Sequence, residues 1–278
     1  MKLTILVDNN TIIDHYFLAE PALSFYIEDK GKKILFDAGY SDAFIRNACA
    51  MDIDLLDLDY IVLSHSHLDH TWGLDPLIRL YTHAGLEGKA HGRPVIVAHP
   101  EIFLSRTLCK IGDIGTIISE ERLSRHFDLN LTDKPFWITD DLVFLGQIPR
   151  ENSFEKRESI GKCVNAGKEE SDFINDDSSI AYKSSEGLVV VTGCAHAGVC
   201  NTIEYAKKVC EVDNVSKVIG GFHLLKPDKK RMDGTVKYFE KLNPKSVYPC
   251  HCTDFHSKCT LSSVVNVFEV GVGFKIKF

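Results

Sequence analysis

Ser64-His65-Ser66-His67-Leu68-Asp69-His70 places three imidazoles and a carboxylate within six consecutive positions. Imidazole nitrogen and carboxylate oxygen are ligands that zinc, iron and manganese accept in catalytic sites, where three or four protein ligands leave a place for water. His65 and His67 lie two apart, so an extended segment points both to one side. Asp69 and His70 follow at the turn into a helix and reach a neighbouring point, which suits two metals side by side. The bland alternative is four polar residues in a surface turn. Leu63 upstream and Trp72-Gly73-Leu74 downstream lock the segment into a core and speak against it.

Working outward, the strand-like run Tyr60 to Leu63 ends directly in the cluster. Loops held by a rigid sheet are where α/β proteins concentrate their chemistry. Upstream, Leu3 to Val7, Leu23 to Ile27 and Lys33 to Phe36 read as strands, and Ser41 to Met51 has helical spacing with Ser41 as N-cap. Downstream, the pattern predicts helices over Gly73 to Tyr81 and Pro100 to Cys109, with a strand at Val95 to Ala98. The second half predicts strands at Leu142 to Leu145, Ile180 to Lys183, Leu188 to Thr192, Lys217 to Ile219, Ser246 to Tyr248 and Gly273 to Phe278. Helices fit Val199 to Val209, Met232 to Leu242 and Leu261 to Phe268. Two strand-rich halves, each carrying helices, predict two sheets with helices outside them. Residues 149–177 are polar and unpatterned and read as a lid or insertion within a single domain spanning 1–278.

With 278 residues, 44% of them hydrophobic, the chain can bury a large core. Its formal charge of -7 and the lack of a long basic stripe argue against a nucleic-acid partner. The N-terminus turns polar too soon for a signal peptide, and no apolar stretch reaches the roughly 18 residues of a membrane helix. A cytoplasmic location without membrane contact is therefore expected. Nine cysteines, an odd number without paired CxxC elements, fit reduced thiols better than disulfides or a zinc ribbon.

The strand leading into Ser64-His65-Ser66-His67-Leu68-Asp69-His70, followed by Thr71-Trp72-Gly73-Leu74, resembles the HxHxDH signature of the metallo-β-lactamase superfamily. Ile34-Leu35-Phe36-Asp37-Ala38-Gly39 resembles the LFDxG strand that accompanies it. The resemblance implies an α/β fold, an αββα sandwich of two mixed sheets face to face with helices on both outer faces. It further implies that His65 and His67 hold a first metal, and Asp69 and His70 a second. Three later blocks, Gly193-Cys194-Ala195-His196-Ala197-Gly198, Gly220-Gly221-Phe222-His223-Leu224 and His251-Cys252-Thr253, narrow the likeness. They are similar to the GCxHxG, GGFHL and HCT blocks of the branch of 7,8-dihydropterin-6-methyl-4-(β-D-ribofuranosyl)aminobenzene-5′-phosphate synthases. Enzymes of that branch join a dihydropterin pyrophosphate to a ribofuranosyl-aniline phosphate.

The sequence departs from the wider superfamily at two points. The third histidine of the first metal, usual near residues 146–150, is missing, and His196 is its substitute. Cys194 stands where the bridging aspartate falls; bridging, ligation of one metal and packing all stay open for it. His251 matches the final histidine and is assigned to the second metal, while His223 is a candidate for ligation or substrate contact. Strand alternation would turn Cys250 and Cys252 away from His251 into the core. His15, His83, His91, His99, His126 and His256 lack such company and read as ordinary.

The expected cofactors are two divalent metal ions, zinc first, with iron or manganese as alternatives. Such a site activates water near neutral pH and polarises a phosphoryl or carbonyl oxygen, with Asp69 orienting the nucleophile. Hydrolysis is the expected competence, with a pyrophosphate-displacing transfer beside it, on a small phosphorylated or pterin-like substrate. Arg150, with Lys156 and Arg157, and Lys226, ahead of Lys229, Lys230 and Arg231, are candidate phosphate contacts. The alternatives are an iron-dependent oxidoreductase of the same fold and a non-catalytic metal- or ligand-binding protein. Assembly into a homo-oligomer is left open.

Overall fold

A computed structural model describes residues 1–155 and 158–278. The strands of the first half are β1 (Lys2–Val7), β2 (Ser24–Asp29), β3 (Lys32–Phe36), β4 (Tyr60–Val62), β5 (Val95–Ala98), β6 (Ser105–Leu108), β7 (Gly112–Asp113) and β8 (Asp128–Leu131). Those of the second are β9 (Phe136–Trp137), β10 (Leu142–Phe144), β11 (Lys162–Asn165), β12 (Lys168–Ser171), β13 (Ser179–Ser184), β14 (Gly187–Thr192), β15 (Val215–Gly221), β16 (Ser246–Cys250) and β17 (Lys275–Lys277). The helices are α1 (Ala43–Ala50), α2 (Leu68–Thr71), α3 (Leu74–Leu86), α4 (Glu120–Leu123), α5 (Val199–Cys210), α6 (Lys229–Leu242) and α7 (Phe255–Ser262).

The strands form a seven-stranded sheet in the order β17-β1-β2-β3-β4-β5-β8 and a six-stranded sheet in the order β16-β15-β14-β13-β10-β9. Each is mixed: β3, β4, β5 and β8 run parallel in the first, and β14, β15 and β16 run parallel in the second. Alternation sorts the side chains. Ile34 and Phe36 of β3 face an inner core shared with Val189, Val191 and Ile219 of the other sheet. Leu35, between them, faces outward onto Phe44 and Leu77 of α1 and α3. On the far side, Val190 and Val218 pack outward on Ile203 and Phe239 of α5 and α6. This is the αββα sandwich that the resemblance implies, each sheet burying both faces.

Three local expectations change. Pro100 opens only a short 3-10 turn, Pro100–Phe103, and the chain then becomes β6, not a helix. The polar stretch expected to lack structure contains the hairpin β11–β12, which pairs with β6 and β7 in a four-stranded sheet. Its turn residues Ala166 and Gly167 both have positive φ, as two-residue hairpin loops require. The helix expected over Leu261 to Phe268 lies earlier, at α7. Among the described residues, no helix is long and apolar enough to cross a membrane.

Candidate metal centre

The C-terminal ends of β3, β4, β14, β15 and β16 deliver the functional side chains. The turn after β4 is stitched to the turn after β3, Ala38 N donating to His70 O at 2.8 Å. Gly73 permits this approach, because a Cβ there would stand 1.9 Å from the Ala38 carbonyl oxygen. The two sequence blocks that announce the fold are thus one structural unit.

His65, His67 and His196 converge. His65 Nε2 is 3.1 Å from His67 Nδ1 and 3.2 Å from His196 Nε2. A second group lies beside it: His70 Nε2 is 3.2 Å from His251 Nε2, and Asp69 Oδ2 is 3.3 Å from His251 Nε2 and 3.8 Å from His70 Nε2. The His65 and His70 rings are 4.2 Å apart between centroids. Cys194 belongs to both, its sulfur within 4.8 Å of donor atoms of His65 and His196 and of His70 and His251. The Cys194 sulfur itself is 3.2 Å from His70 Nε2.

The far nitrogens show which way the lone pairs point. His70 Nδ1 lies 2.7 Å from Asp37 Oδ2, and His251 Nδ1 lies 3.1 Å from Asn9 Oδ1, acceptors that require N–H on the Nδ1 side. His65 Nδ1 is 2.9 Å from Ser64 Oγ, which spends its own proton on Asp37 Oδ2 at 2.7 Å. The Nε2 lone pairs of all three therefore face inward, the tautomer that carboxylate and amide partners impose on metal-binding histidines. Tetrahedral ligands on zinc, at about 2.0–2.3 Å, stand about 3.3–3.8 Å from one another, close to the separations found here. The donor set thus fits transition-metal binding.

Electrostatics agrees at three of the histidines, while at His70 the neighbouring carboxylates hold a proton that a metal ion would have to displace. Burial drives His65 and His196 well below the ordinary imidazole range and His67 down to about 4, leaving them neutral. Burial alone would raise Asp69 and lower His70. Attraction between the two, with help from His251 and Asp37, reverses both, holding Asp69 well below the carboxylate range and lifting His70 to about 9.

Of the remaining candidates, His223 reaches the site, its ring 4.2 Å from that of His196 between centroids. It also lines a cavity of about 300 Å³ with Phe154, Lys226 and Arg231. Arg150 donates to the carbonyls of Phe173 and Ile174 and lines a separate cavity that contains none of the histidines. Lys156 and Arg157 lie outside the described residues. His99 accepts from Glu101 N, capping the turn that follows it. Cys250 is buried, as alternation suggests, but Cys252 is not turned away: its sulfur accepts from His223 N at 3.2 Å and lies 3.4 Å from Cys194 O. The reason is His251, whose φ of +49° breaks the pleat and resets the alternation beyond it. Burial raises the Cys194 thiol well above its usual range, while Cys194, His223 and His251 outweigh burial at Cys252 and hold its thiol well below.

Several residues escaped the sequence reading. Asp37 and Ser64 aim two imidazoles, and Asp8 accepts from His251 N at 2.8 Å. Residues 172–178 clamp the two ligand loops together: Asp176 Oδ2 accepts from Ser66 N at 2.9 Å, and Asp177 Oδ2 from Ala197 N at 2.8 Å. Buried Arg106 pairs with both Asp172 and Asp176. Nearby, the carboxylate of Glu155 accepts from Cys200 N and Asn201 N at the start of α5. Of these, only Asp37 had a signal, the LFDxG block.

Comparison with known proteins bears on the family and the fold. Residues 19–147 match the sequence profile of the Metallo-beta-lactamase superfamily. An uncharacterized protein of Methanocaldococcus jannaschii is 34% identical over 97% of this chain and 97% of its own length. The 7,8-dihydropterin-6-methyl-4-(beta-D-ribofuranosyl)-aminobenzene-5'-phosphate synthase of the same organism is 30% identical over 93% of this chain and 89% of its own. The crystal structure of Tm1679, a metal-dependent hydrolase of the beta-lactamase superfamily, superposes with a TM-score of 0.83 at 24% identity, covering 100% of this chain and 99% of that one. That last likeness speaks for the fold, and the two archaeal relatives extend it to sequence over nearly the whole length: the chain belongs to the metallo-β-lactamase superfamily.

Proposed function

We propose that this protein is a metal-dependent hydrolase of a small phosphorylated substrate, with His65, His67 and His196 holding one divalent ion and Asp69, His70 and His251 a second. One observation carries the reading: two groups of inward-facing donors, aimed by Asp37, Ser64 and Asn9, meet across Cys194. Bound ions would supply activation of water and polarisation of a phosphoryl oxygen. Zinc fits the nitrogen and sulfur donors best, and Cys194 would be shared between the ions. Asp69, a quarter exposed on its side chain, is the ligand most open to the reaction space. Kept ionised by His70 and His251, it can also accept a hydrogen bond from the attacking group and orient it.

The cavity beside His223 is the proposed substrate pocket. Lys226 and Arg231 offer positive charge to a phosphate, and Phe154 and Leu225 offer an apolar flank to a ring. Arg150, committed to two backbone carbonyls, is better read as holding residues 173–174 than as a phosphate contact. The curated archaeal synthase supports a pterin-like substrate and displacement of pyrophosphate as a variant of the same chemistry.

Zinc-reconstituted protein should hydrolyse an activated phosphodiester and lose that activity to a chelator. Asp69→Ala, folded by circular dichroism and reloaded with metal, should turn over about 10²–10⁴-fold more slowly, the range for losing a side chain positioned on the reacting proton. Undiminished turnover by that variant would overturn the mechanism.

A further inference from the structure

Cys194 has a third set of neighbours. Its sulfur, the sulfur of Cys252 and a ring nitrogen of His223 all lie within 4.8 Å of one another, a cluster that shares only Cys194 with the two histidine groups. His223 is held at a cost on two counts. Its φ of +50° is a left-handed conformation unfavourable to a side chain, and its Nδ1 is buried with no hydrogen-bond partner. Packing does not recover either cost, since the ring lies between His196 and a polar cavity. A cation held by Nδ1 would recover both, because it would use that nitrogen and reward the backbone geometry that brings the ring to the two sulfurs.

We propose that Cys194, Cys252 and His223 form a third cation site, a thiolate-rich position for a borderline-soft ion such as Zn²⁺ at the inner end of the His223 cavity. Sulfur donors select zinc over magnesium or calcium. Binding releases any proton still held on the two sulfurs and changes no oxidation state. Because His223 also lines the cavity that holds Lys226 and Arg231, an ion here would fix the ring in the wall that faces an anionic ligand.

The inference rests on the reading of Cys194 as a metal ligand, and cobalt as a spectroscopic probe separates the two. Chelator-treated wild-type protein, titrated with Co²⁺ under reducing conditions, should take up a third equivalent with growth of the near-ultraviolet sulfur-to-cobalt band. Cys252→Ser should lose that equivalent and roughly half of the band, one of two thiolates being removed. His223→Asn, chosen because Asn tolerates positive φ, should lose the same equivalent while keeping the fold. If the wild type binds two equivalents and neither substitution changes them, the third site is overturned while the proposed hydrolase stands. Loss of band in Cys252→Ser without loss of stoichiometry would also overturn it, by making Cys252 a ligand of an existing ion. Wild type that binds no cobalt would sink both readings.

Discussion

The two sheets contribute to the candidate centre by different physical means. Ligands from the seven-stranded sheet sit on ordinary backbone and are aimed through their far ring nitrogens, His70 by Asp37 and His65 by the Ser64–Asp37 relay. In the six-stranded sheet the backbone takes a larger share of the aiming, beside Asn9 on His251 Nδ1: Ala195, His223 and His251, each just beyond a strand end, have φ of +55°, +50° and +49°. One half therefore stores its precision in proton positions and the other in conformational strain. Changes that leave the chain path untouched should disable the first, whereas in the second the choice of replacement residue should matter most.

The largest effect tests what joins the halves. Asp176 and Asp177 tie the Ser66 and Ala197 loops together, and Arg106, its side chain 1% exposed, neutralises Asp172 and Asp176 beneath them. Arg106→Ala leaves two buried carboxylates without their cation and should cost about 3–5 kcal/mol in urea or guanidinium unfolding. A loss under about 1 kcal/mol, within the reach of an ordinary surface pair, would show that the halves are joined some other way.

Next in size is Asp37→Asn, which attacks the first half alone. Asn accepts the positive φ of this position, +58°, so the turn should persist. An amide N–H replacing Oδ2 forces His70 Nδ1 to accept, moving the proton to Nε2, where it blocks ligation. Zinc affinity, measured by competition with a chromophoric chelator, should fall about 10–100-fold with secondary structure intact. Unchanged affinity would remove the relay from the explanation.

How much of this was legible in the sequence follows the same division. The contiguous run from His65 to His70 needs only one turn of chain to converge, so spacing alone exposed it. Asp37 becomes a partner of Ser64 and His70 only because β3 and β4 pair in parallel with Phe36 opposite Val62, a register that no local pattern encodes. Cys252 was misplaced because strand alternation was carried through His251, where a left-handed residue interrupts it. Residues 149–177 looked structureless because β12, Lys-Glu-Glu-Ser, is exposed along its length and carries no hydrophobic period. Its order comes from pairing with β11, which pairs in turn with β6.

The smallest effect would sharpen the contrast most directly, since it asks for a change of sign. His70 lies in α2 on helical backbone, where glycine loses more freedom on folding than alanine, so His70→Gly should be less stable than His70→Ala by about 0.5–1 kcal/mol. His251 sits at positive φ, where alanine carries a steric penalty that glycine does not, so His251→Gly should be the more stable of its pair by about 1 kcal/mol. Each pair removes the same imidazole, so the lost ring and its hydrogen bonds largely cancel within it. Denaturation of the four metal-free variants gives both differences. Equal signs would mean that strain at His251 is relieved by local adjustment once the imidazole is gone, and that its orientation depends on Asn9 and Asp8 in the way His70 depends on Asp37.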